Sequence, residues 1–403
     1  MDNWINTNLG NIIKIKHGFP FKGEFFEEEG KYIILTPGNF YEEGGFKYQT
    51  GKEKYYSGEF PNSYIHKKGN LIVAMTEQAQ GLLGSCAFVP EDDLFLHNQR
   101  LGLIEIIDNQ LVDKTFIYYL FKTKYIRTQI SLTSTGSKVK HTSPERIYSV
   151  KCNLPSFDIQ QNIASVLLSL DKKIELNNKI NKELEAMAKT LYDYWFVQFD
   201  FPDVNGKPYK SSGGKMVYNE ELKREIPEGW EVKKIADLLD VITGKEDANF
   251  AVENGKHPFF TCADTISYCD NYAFEGKAIL IAGNGNFNVK LYDGKFNAYQ
   301  RTYVLIPNNE QYYSIIFYAV QDQLKRLSSG SAGSIIKFIT KGDVENISLI
   351  LPKANYSKLF KQLNVITKLI EKKKKENQEL SKLRDWLLPM LMNGQVKYNA
   401  PKI

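Results

Sequence analysis

The sequence predicts an α+β protein with two mixed α/β domains separated by two long antiparallel coiled-coil helices, all related by a pseudo-twofold internal repeat. Two observations predict this arrangement. Segments of the first half recur, in the same order, in the second half, and each half ends in a long helical stretch. The length of 403 residues also exceeds that of one ordinary domain.

Four pairs of segments carry the internal repeat. The pairs are 4–18 with 230–244, 69–76 with 276–283, 98–106 with 299–307, and 136–155 with 333–352, at offsets of 226, 207, 201 and 197 residues. A constant order with a shrinking offset is typical of one ancestral unit that was copied and then shortened in its loops. The alternative is a pair of unrelated α/β domains that share common turn chemistry.

Each long helical stretch shows apolar residues at alternating spacings of four and three, which is the pattern of helices that pair along a seam. We expect the two seams to pack against each other, with polar residues restricting the register; the alternative is that each helix folds back on its own domain. Pro389 should bend or end the second helix near its last turns, and Gly394 should stop it. The predicted seam residues are Ile163, Leu167, Leu170, Ile174, Asn177, Asn181, Leu184 and Leu191 in the first helix, and Leu359, Leu363, Ile366, Ile370, Asn377, Leu380 and Leu387 in the second.

These signals divide the chain into six segments, of which the third is a linker because Pro, Gly, Ser and Asn dominate its first half. The segments are a first domain (1–157), a first helix (158–198), a linker (199–229), a second domain (230–354), a second helix (355–394) and a tail (395–403).

Composition and motifs argue against several classes of protein. The net charge of +5 permits nucleic acid as a partner, and none of the four cysteines lies in a CxxC pair, which argues against structural zinc and a disulfide framework. No secretory signal and no apolar run of 18 residues is present, so we expect a cytoplasmic protein. Phosphate-loop and HExxH motifs are absent. The sequence therefore predicts a binding module with no metal site, cofactor or catalytic residue of its own.

Polar loops are the candidate DNA-binding sites. Glycine, hydroxyl and lysine residues in 134–141 suit phosphate oxygens, while Gln and Arg in 98–100 and 299–301 suit adenine and guanine. The alternatives are an ordinary surface turn and residues that merely start a strand. Loops that differ between the copies are expected to read bases. The candidates are Thr76, Gln78, Gln80, Asn98, Gln99, Arg100, Ser134, Ser137, Lys138, Lys140 and His141 in the first copy, and Asn284, Asn286, Asn288, Lys290, Gln300, Arg301, Ser331, Ser334 and Lys337 in the second.

With these features, the chain resembles the specificity subunits of type I restriction–modification enzymes. The resemblance rests on two similar domains that are each followed by a long helix. It also rests on the linker FDFPDVNGKPYKSSGGKMVYNEELKREIPEGWEV (199–232), on LLPMLMNGQV (387–396), and on Leu154-Pro155 ahead of Gln160 and Gln161.

The resemblance implies a subunit that is not catalytic by itself. Each domain would be a target-recognition domain that reads one half of a bipartite double-stranded DNA target, while the helices set the spacer and dock two methyltransferase subunits. Two restriction (motor) subunits would complete a type I site-specific deoxyribonuclease and adenine-specific DNA methyltransferase. S-adenosylmethionine, ATP and Mg²⁺ would then be bound by those partners. The alternatives are a coiled-coil adaptor that binds protein, and a self-contained restriction or methylation enzyme.

Overall fold

A computed structural model describes residues 4–77, 79–136, 139–285, 287–328, 338–353 and 357–396. The chain forms two compact units: unit 1 comprises residues 1–175 and 378–403, and unit 2 comprises residues 176–377. Both units combine strands with helices, which confirms the mixed α+β class. The unit boundaries lie inside the long helices, and not at the predicted domain ends, because each part of a helix packs onto the core of the unit that contains it.

Unit 1 is built on two four-stranded sheets, ordered β2-β9-β6-β7 and β3-β5-β4-β8, and on the pair β1-β10. Its strands are β1 (Ile5–Asn8), β2 (Ile13–His17), β3 (Phe26–Glu27), β4 (Tyr32–Leu35), β5 (Tyr55–Tyr56), β6 (Leu71–Ala74), β7 (Cys86–Phe88), β8 (Phe95–His97), β9 (Leu101–Ile106) and β10 (Lys151–Leu154). Its short helices are α1 (Lys114–Lys122), α2 (Lys124–Leu132) and α3 (Pro144–Tyr148).

The first long helix, α4 (Phe157–Tyr192), begins in unit 1 and continues into unit 2, where a π-helical turn (Asp193–Val197) extends it. Unit 2 is built on one six-stranded sheet, ordered β14-β19-β17-β18-β15-β16, and on the pairs β13-β20 and β11-β12. Its strands are β11 (Met216–Asn219), β12 (Arg224–Pro227), β13 (Trp230–Lys234), β14 (Val241–Thr243), β15 (His257–Phe260), β16 (Ser267–Cys269), β17 (Phe274–Ala282), β18 (Val289–Ala298), β19 (Thr302–Leu305) and β20 (Ser348–Pro352). Its helices are α5 (Ile235–Leu238), α6 (Tyr313–Ser328) and α7 (Lys341–Glu345), and the second long helix, α8 (Ser357–Met392), starts there and ends in unit 1.

Strand pairing repeats between the units at the offsets that the sequence shows. Ile15 pairs with Ile104 in unit 1, and Val241 pairs with Leu305 in unit 2, at offsets of 226 and 201 residues. The pairs β1-β10 and β13-β20 likewise share one register at offsets of 226 and 197. The two units therefore share these strand pairings, which are here called the shared frame, although their sheets are joined differently.

The predicted match of 69–76 with 276–283 is wrong by one residue. Leu71 pairs with Ile104, and Ile279 pairs with Leu305, so the structural offset is 208 and not 207. The sequence match aligned Gly69 with Gly276, but Gly276 lies inside the longer strand β17. Because side chains alternate along a strand, a shift of one residue would exchange its two buried faces.

Gly18 and Gly244 occupy the same crowded position in the two units. A Cβ atom on Gly18 would lie 1.8 Å from the carbonyl oxygen of Asn98, and one on Gly244 would lie 2.2 Å from that of Ala298. No other residue fits where backbone approaches backbone so closely. This close approach explains why the repeat retains glycine here.

Within unit 1, segments of α4 and α8 pack on a shared core that contains Ile163, Leu167 and Leu391. The Tyr119 hydroxyl donates to Oδ2 of Asp171 over 2.7 Å, and Nη1 of Arg384 lies 2.8 Å from Oδ1 of the same carboxylate. Unit 1 therefore joins both helices and α1 through one half-buried carboxylate.

Within unit 2, α4 and α8 run antiparallel. Nδ2 of Asn177 donates to Oδ1 of Asn377 over 2.8 Å, and Nζ of Lys374 lies 2.9 Å from Oε1 of Glu185. Every predicted seam residue of the two helices is buried or half-buried in the unit that contains it.

The end of α8 lies two residues before the predicted end at 394. The helix does not end at Pro389 but continues to Met392, because a proline in the last turn removes only one hydrogen bond from a helix that is about to end. Gly394 follows with a φ of +68° and donates its N–H to the carbonyl oxygen of Leu391 over 3.1 Å, which confirms it as the stop. No helix in the described ranges is long and apolar enough to cross a bilayer.

Candidate nucleic-acid interface

One edge of the β2-β9-β6-β7 sheet gathers the candidates of the first copy. At this edge β2 ends, β9 begins and β6 ends, since His17 pairs with Gly102 and Ala74 with Leu101. The turns that extend from it, residues 17–19, 76–77, 79–80, 98–100, 134–136 and 139–142, are here named the unit 1 rim. The fold thus brings four separate loops of the sequence to one place.

Hydrogen bonds hold the described residues of the next loop, 134–136 and 139–142. Thr135 and Thr76 both form β-bridges with His141, and Oγ1 of Thr76 lies 3.1 Å from Nδ1 of His141. Gly136 has a φ of +104°, and a Cβ there would lie 2.1 Å from the carbonyl oxygen of Val139. Thr76 is buried, so it supports the loop and does not project from it.

Basic and amide side chains project from this frame. Oδ1 of Asn98 accepts the backbone N–H of Arg100 over 3.0 Å, which makes Asn98 a turn-forming residue. Gln99 and Arg100 are exposed, as is Lys140, whose Nζ lies 3.3 Å from the hydroxyl of Ser131. Ser134 hydrogen-bonds the Ser131 carbonyl oxygen, and Gln80 is exposed. The unit 1 rim therefore presents cations and amide groups together, as contacts to phosphates and base edges require.

Unit 2 forms the corresponding edge, with residues 244–246, 283–285, 287–288, 299–301 and 338 as the unit 2 rim. Asn284 bridges to Phe338, and the N–H of Gly283 donates to the carbonyl oxygen of Arg301 over 2.8 Å. Gln300 and Arg301 are exposed, as Gln99 and Arg100 are. The two rims thus carry one shared Gln-Arg pair at equivalent strand starts.

Asn288 and Lys290 do not project from the unit 2 rim as predicted. Nζ of Lys290 donates to the carbonyl oxygens of Ala263 (2.6 Å) and Thr261 (3.4 Å) and to Oδ1 of Asn288 (2.7 Å), and burial lowers the pKa of this lysine. Nδ2 of Asn288 donates to the carbonyl oxygen of Cys262 over 3.1 Å. Both side chains hold the loop 261–264, because they face this neighbouring loop from the start of β18.

Seven further candidates lie outside the described residues. They are Gln78, Ser137, Lys138, Asn286, Ser331, Ser334 and Lys337.

Two residues of the unit 1 edge were missed by the sequence reasoning. His17 is exposed at the end of β2, and Nη1 of Arg146 donates to the hydroxyl of Thr135 over 2.8 Å. Arg146 lies inside the duplicated segment, where the copy has Asp343 at an offset of 197. A comparison of charge signs between the copies could have found it.

No group of three or more His, Cys, Asp or Glu side chains that could hold a metal ion occurs among the residues that the structure describes. Both rims expose cations and amide groups, which bind anions and base edges.

Comparison with known proteins identifies a family and several relatives. The family profile described as "Type I restriction modification DNA specificity domain" matches residues 1–186 and 227–382. The MjaIX type I restriction enzyme specificity subunit of Methanocaldococcus jannaschii is 30% identical over 323 residues, which cover 73% of this chain and 72% of that protein. The EcoDI specificity subunit of Escherichia coli is 36% identical over 177 residues, or 43% of this chain and 40% of that protein's length.

A solved structure shares the fold. The type I restriction–modification S subunit from M. genitalium aligns with a TM-score of 0.61 at 18% identity and covers 96% of both chains. With the family profile matching both halves of the sequence, the chain belongs to the type I restriction–modification DNA specificity family.

Proposed function

We propose that this chain is the sequence-specific DNA-binding subunit of a type I restriction–modification complex. Unit 1 and unit 2 each read one half of a bipartite target through their rims. The observation that carries the proposal is the recurrence of an exposed Gln-Arg pair, Gln99-Arg100 and Gln300-Arg301, on equivalent strand starts. Arg and Gln are suited to bidentate contacts with guanine and adenine in the major groove.

The long helices act as a coiled-coil spacer between the two target-recognition domains. Their apolar seam residues are buried or half-buried, while Leu176, Met187, Val365 and Leu383 remain exposed. We assign docking of the two methyltransferase subunits to the outer faces of these helices.

The chain directs chemistry that its partners perform. S-adenosylmethionine is bound by the methyltransferase subunits, and two restriction subunits use ATP and Mg²⁺. The target adenine is flipped out of the duplex into the methyltransferase pocket. On this view the chain is not catalytic by itself.

Mapping of methylated adenines across a genome, with this gene present and absent, tests the proposal. We expect one bipartite motif with a fixed gap to depend on the gene. Exchange of residues 1–157 for those of a related subunit should change one half of that motif, and a deletion within 170–185 should change the gap only.

Two outcomes would contradict the proposal. Methyl transfer by the purified chain alone would indicate a self-contained enzyme. Binding that does not weaken with rising salt would indicate a protein-binding adaptor, because contacts to phosphates release counterions and make affinity salt-dependent.

A further inference from the structure

Two buried histidines lie directly beneath the unit 1 rim. Nε2 of His66 lies 2.9 Å from Nδ1 of His97, and the two side chains are 1% and 0% exposed. At the ends of this pair, Nδ1 of His66 lies 3.2 Å from Oδ1 of Asn70, and Nε2 of His97 lies 3.2 Å from the carbonyl oxygen of Lys16. The four groups form one continuous line of hydrogen-bonding atoms.

Both ends of this line are acceptors. The carbonyl oxygen of Lys16 can only accept, and Oδ1 of Asn70 already accepts the backbone N–H of Lys67 over 2.8 Å, which fixes the orientation of its amide. Each of the three contacts in the line needs one N–H proton to become a hydrogen bond, but two neutral imidazoles carry only one N–H proton each. The neutral pair fills only two of the three links.

The surroundings keep the pair neutral. Burial lowers the pKa of both histidines, and the cation of Lys16 adds to this effect. His17 on β2 also opposes protonation of His97. The ring of His97 faces Tyr64. The ion pair between Lys67 and Asp93 is exposed, next to the loop that holds His66. No carboxylate compensates a charge on the imidazoles among the groups that act on them.

The histidine pair contacts two parts of the unit 1 rim, the Asn98–Arg100 turn and the end of β2. His97 directly precedes the Asn98–Arg100 turn, and its carbonyl oxygen accepts the N–H of Phe19 over 3.0 Å. Lys16, at the other end of the line, directly precedes the exposed His17. When Nε2 of His97 carries its proton, the link between His97 and Lys16 holds the end of β2 against the turn that carries Gln99 and Arg100.

Unit 2 has the same backbone frame without the histidines. The backbone N–H of Ala273 donates to the carbonyl oxygen of Phe296 over 3.0 Å. In unit 1 the backbone N–H of His66 donates in the same way to the carbonyl oxygen of Phe95 over 2.9 Å. Ala298 lies beside Phe260 as His97 lies beside Leu35. Alanine thus replaces both histidines at equivalent positions, so the shared frame does not itself require the pair.

We propose, on the basis of the function proposed above, that His66 and His97 are positioning residues for DNA reading by unit 1. Through the carbonyl oxygen of Lys16 they hold the end of β2 and the Asn98–Arg100 turn in the arrangement that contacts the target. Unit 2 positions its own Gln300-Arg301 pair without such a line.

The test compares His97→Ala with His97→Gln in the full chain assembled with its methyltransferase subunits. The glutamine amide can still donate to the Lys16 carbonyl oxygen, whereas alanine cannot. We expect His97→Ala to weaken binding of the cognate duplex about ten-fold, as loss of one buried hydrogen bond does, and to relax preference only in the half-target that unit 1 reads. His97→Gln should remain close to wild type.

Hydrogen exchange provides a second measurement that needs no DNA. The N–H groups of Gly18, Phe19 and Leu101 donate to the carbonyl oxygens of Leu101, His97 and Asn98, and these bonds join the rim to its strands. They should exchange faster in His97→Ala and at the wild-type rate in His97→Gln.

The positioning role would be overturned if the two variants behaved alike in both measurements, or if His97→Ala changed the half-target that unit 2 reads. Should the wild-type complex bind no duplex at all, the proposed function fails. The exchange rates then decide separately whether the pair orders the rim.

Discussion

The two units place the same Gln-Arg pair on the same strand frame, but they support and surround it differently. Unit 1 has a buried histidine pair below its rim and Arg146 beside it, whereas unit 2 has two alanines and Asp343 at those positions. His141 of unit 1 is replaced by the exposed Phe338 in unit 2. After the duplication, the residues that hold the strands were therefore kept, whereas the residues around the Gln-Arg pair diverged.

The largest expected effect tests the shared frame itself. Gly18→Ala and Gly244→Ala should each lower the free energy of unfolding by about 3 kcal/mol, because the added methyl group meets a carbonyl oxygen. Urea denaturation followed by hydrogen exchange in each unit measures this cost. Gly23→Ala, where no atom lies within 4 Å of the new Cβ, should be nearly neutral. Similar costs at positions 23 and 18 would contradict the shared crowding.

The next effect separates the two reading surfaces. Arg100→Ala should cost about 1–3 kcal/mol of DNA affinity and relax one half-target, and Arg301→Ala should do the same for the other half. Binding of duplexes with substitutions in either half measures this. Uniform weakening across all sequences would instead assign both arginines to phosphates.

Lys290→Met, which removes an inward-facing ammonium group, should disturb the loop 261–264 without lowering the salt dependence of binding.

A smaller effect compares how each unit docks the second long helix. Arg384→Met should destabilise unit 1 by about 2 kcal/mol, because Asp171 would lose its cation beside Tyr119. In unit 2 the Tyr313 hydroxyl donates to Oε1 of Glu371 over 3.0 Å, and burial raises the pKa of Glu371. The folded state thus disfavours the ionised form, so Glu371→Gln should leave stability unchanged or slightly higher at pH 7. Denaturation of both variants at pH 7 checks the contrast.

The effect that is smallest at neutral pH is a difference in acid sensitivity, which grows as the pH falls below about 6.5. Burial lowers the pKa of His66 to about 4 and that of His97 to about 3. Below about pH 6.5 these two histidines are protonated in the unfolded chain but stay neutral in folded unit 1. The free energy of unfolding of unit 1 therefore falls as the pH falls from about 6.5 to about 4. Replacing both histidines by alanine should flatten this dependence of stability on pH. Unit 2, followed by hydrogen exchange in the same samples, should keep its own pH profile.

The sequence predicted the mixed fold, the strand correspondences and the extent of both long helices to within a few residues, because apolar spacing and turn glycines are local signals. It misaligned β17 by one residue, since a glycine in a turn and a glycine inside a strand look alike in sequence. It also assigned Lys290 to DNA, because nothing local shows that the loop 261–264 folds over that side chain. The pairing of His66 with His97 joins residues 31 positions apart that no motif connects.

The make-up of unit 1 has a consequence for synthesis. Its core includes Leu391 and Met392, whereas unit 2 is complete at residue 377. At about 5–20 residues per second, the ribosome needs roughly 10–40 s to extend the chain from the first part of unit 1 to the second. Unit 1 is therefore begun first and completed last. Until the end of α8 is made, the apolar helix faces of unit 1 are exposed and can bind chaperones or the same helix of a neighbouring nascent chain.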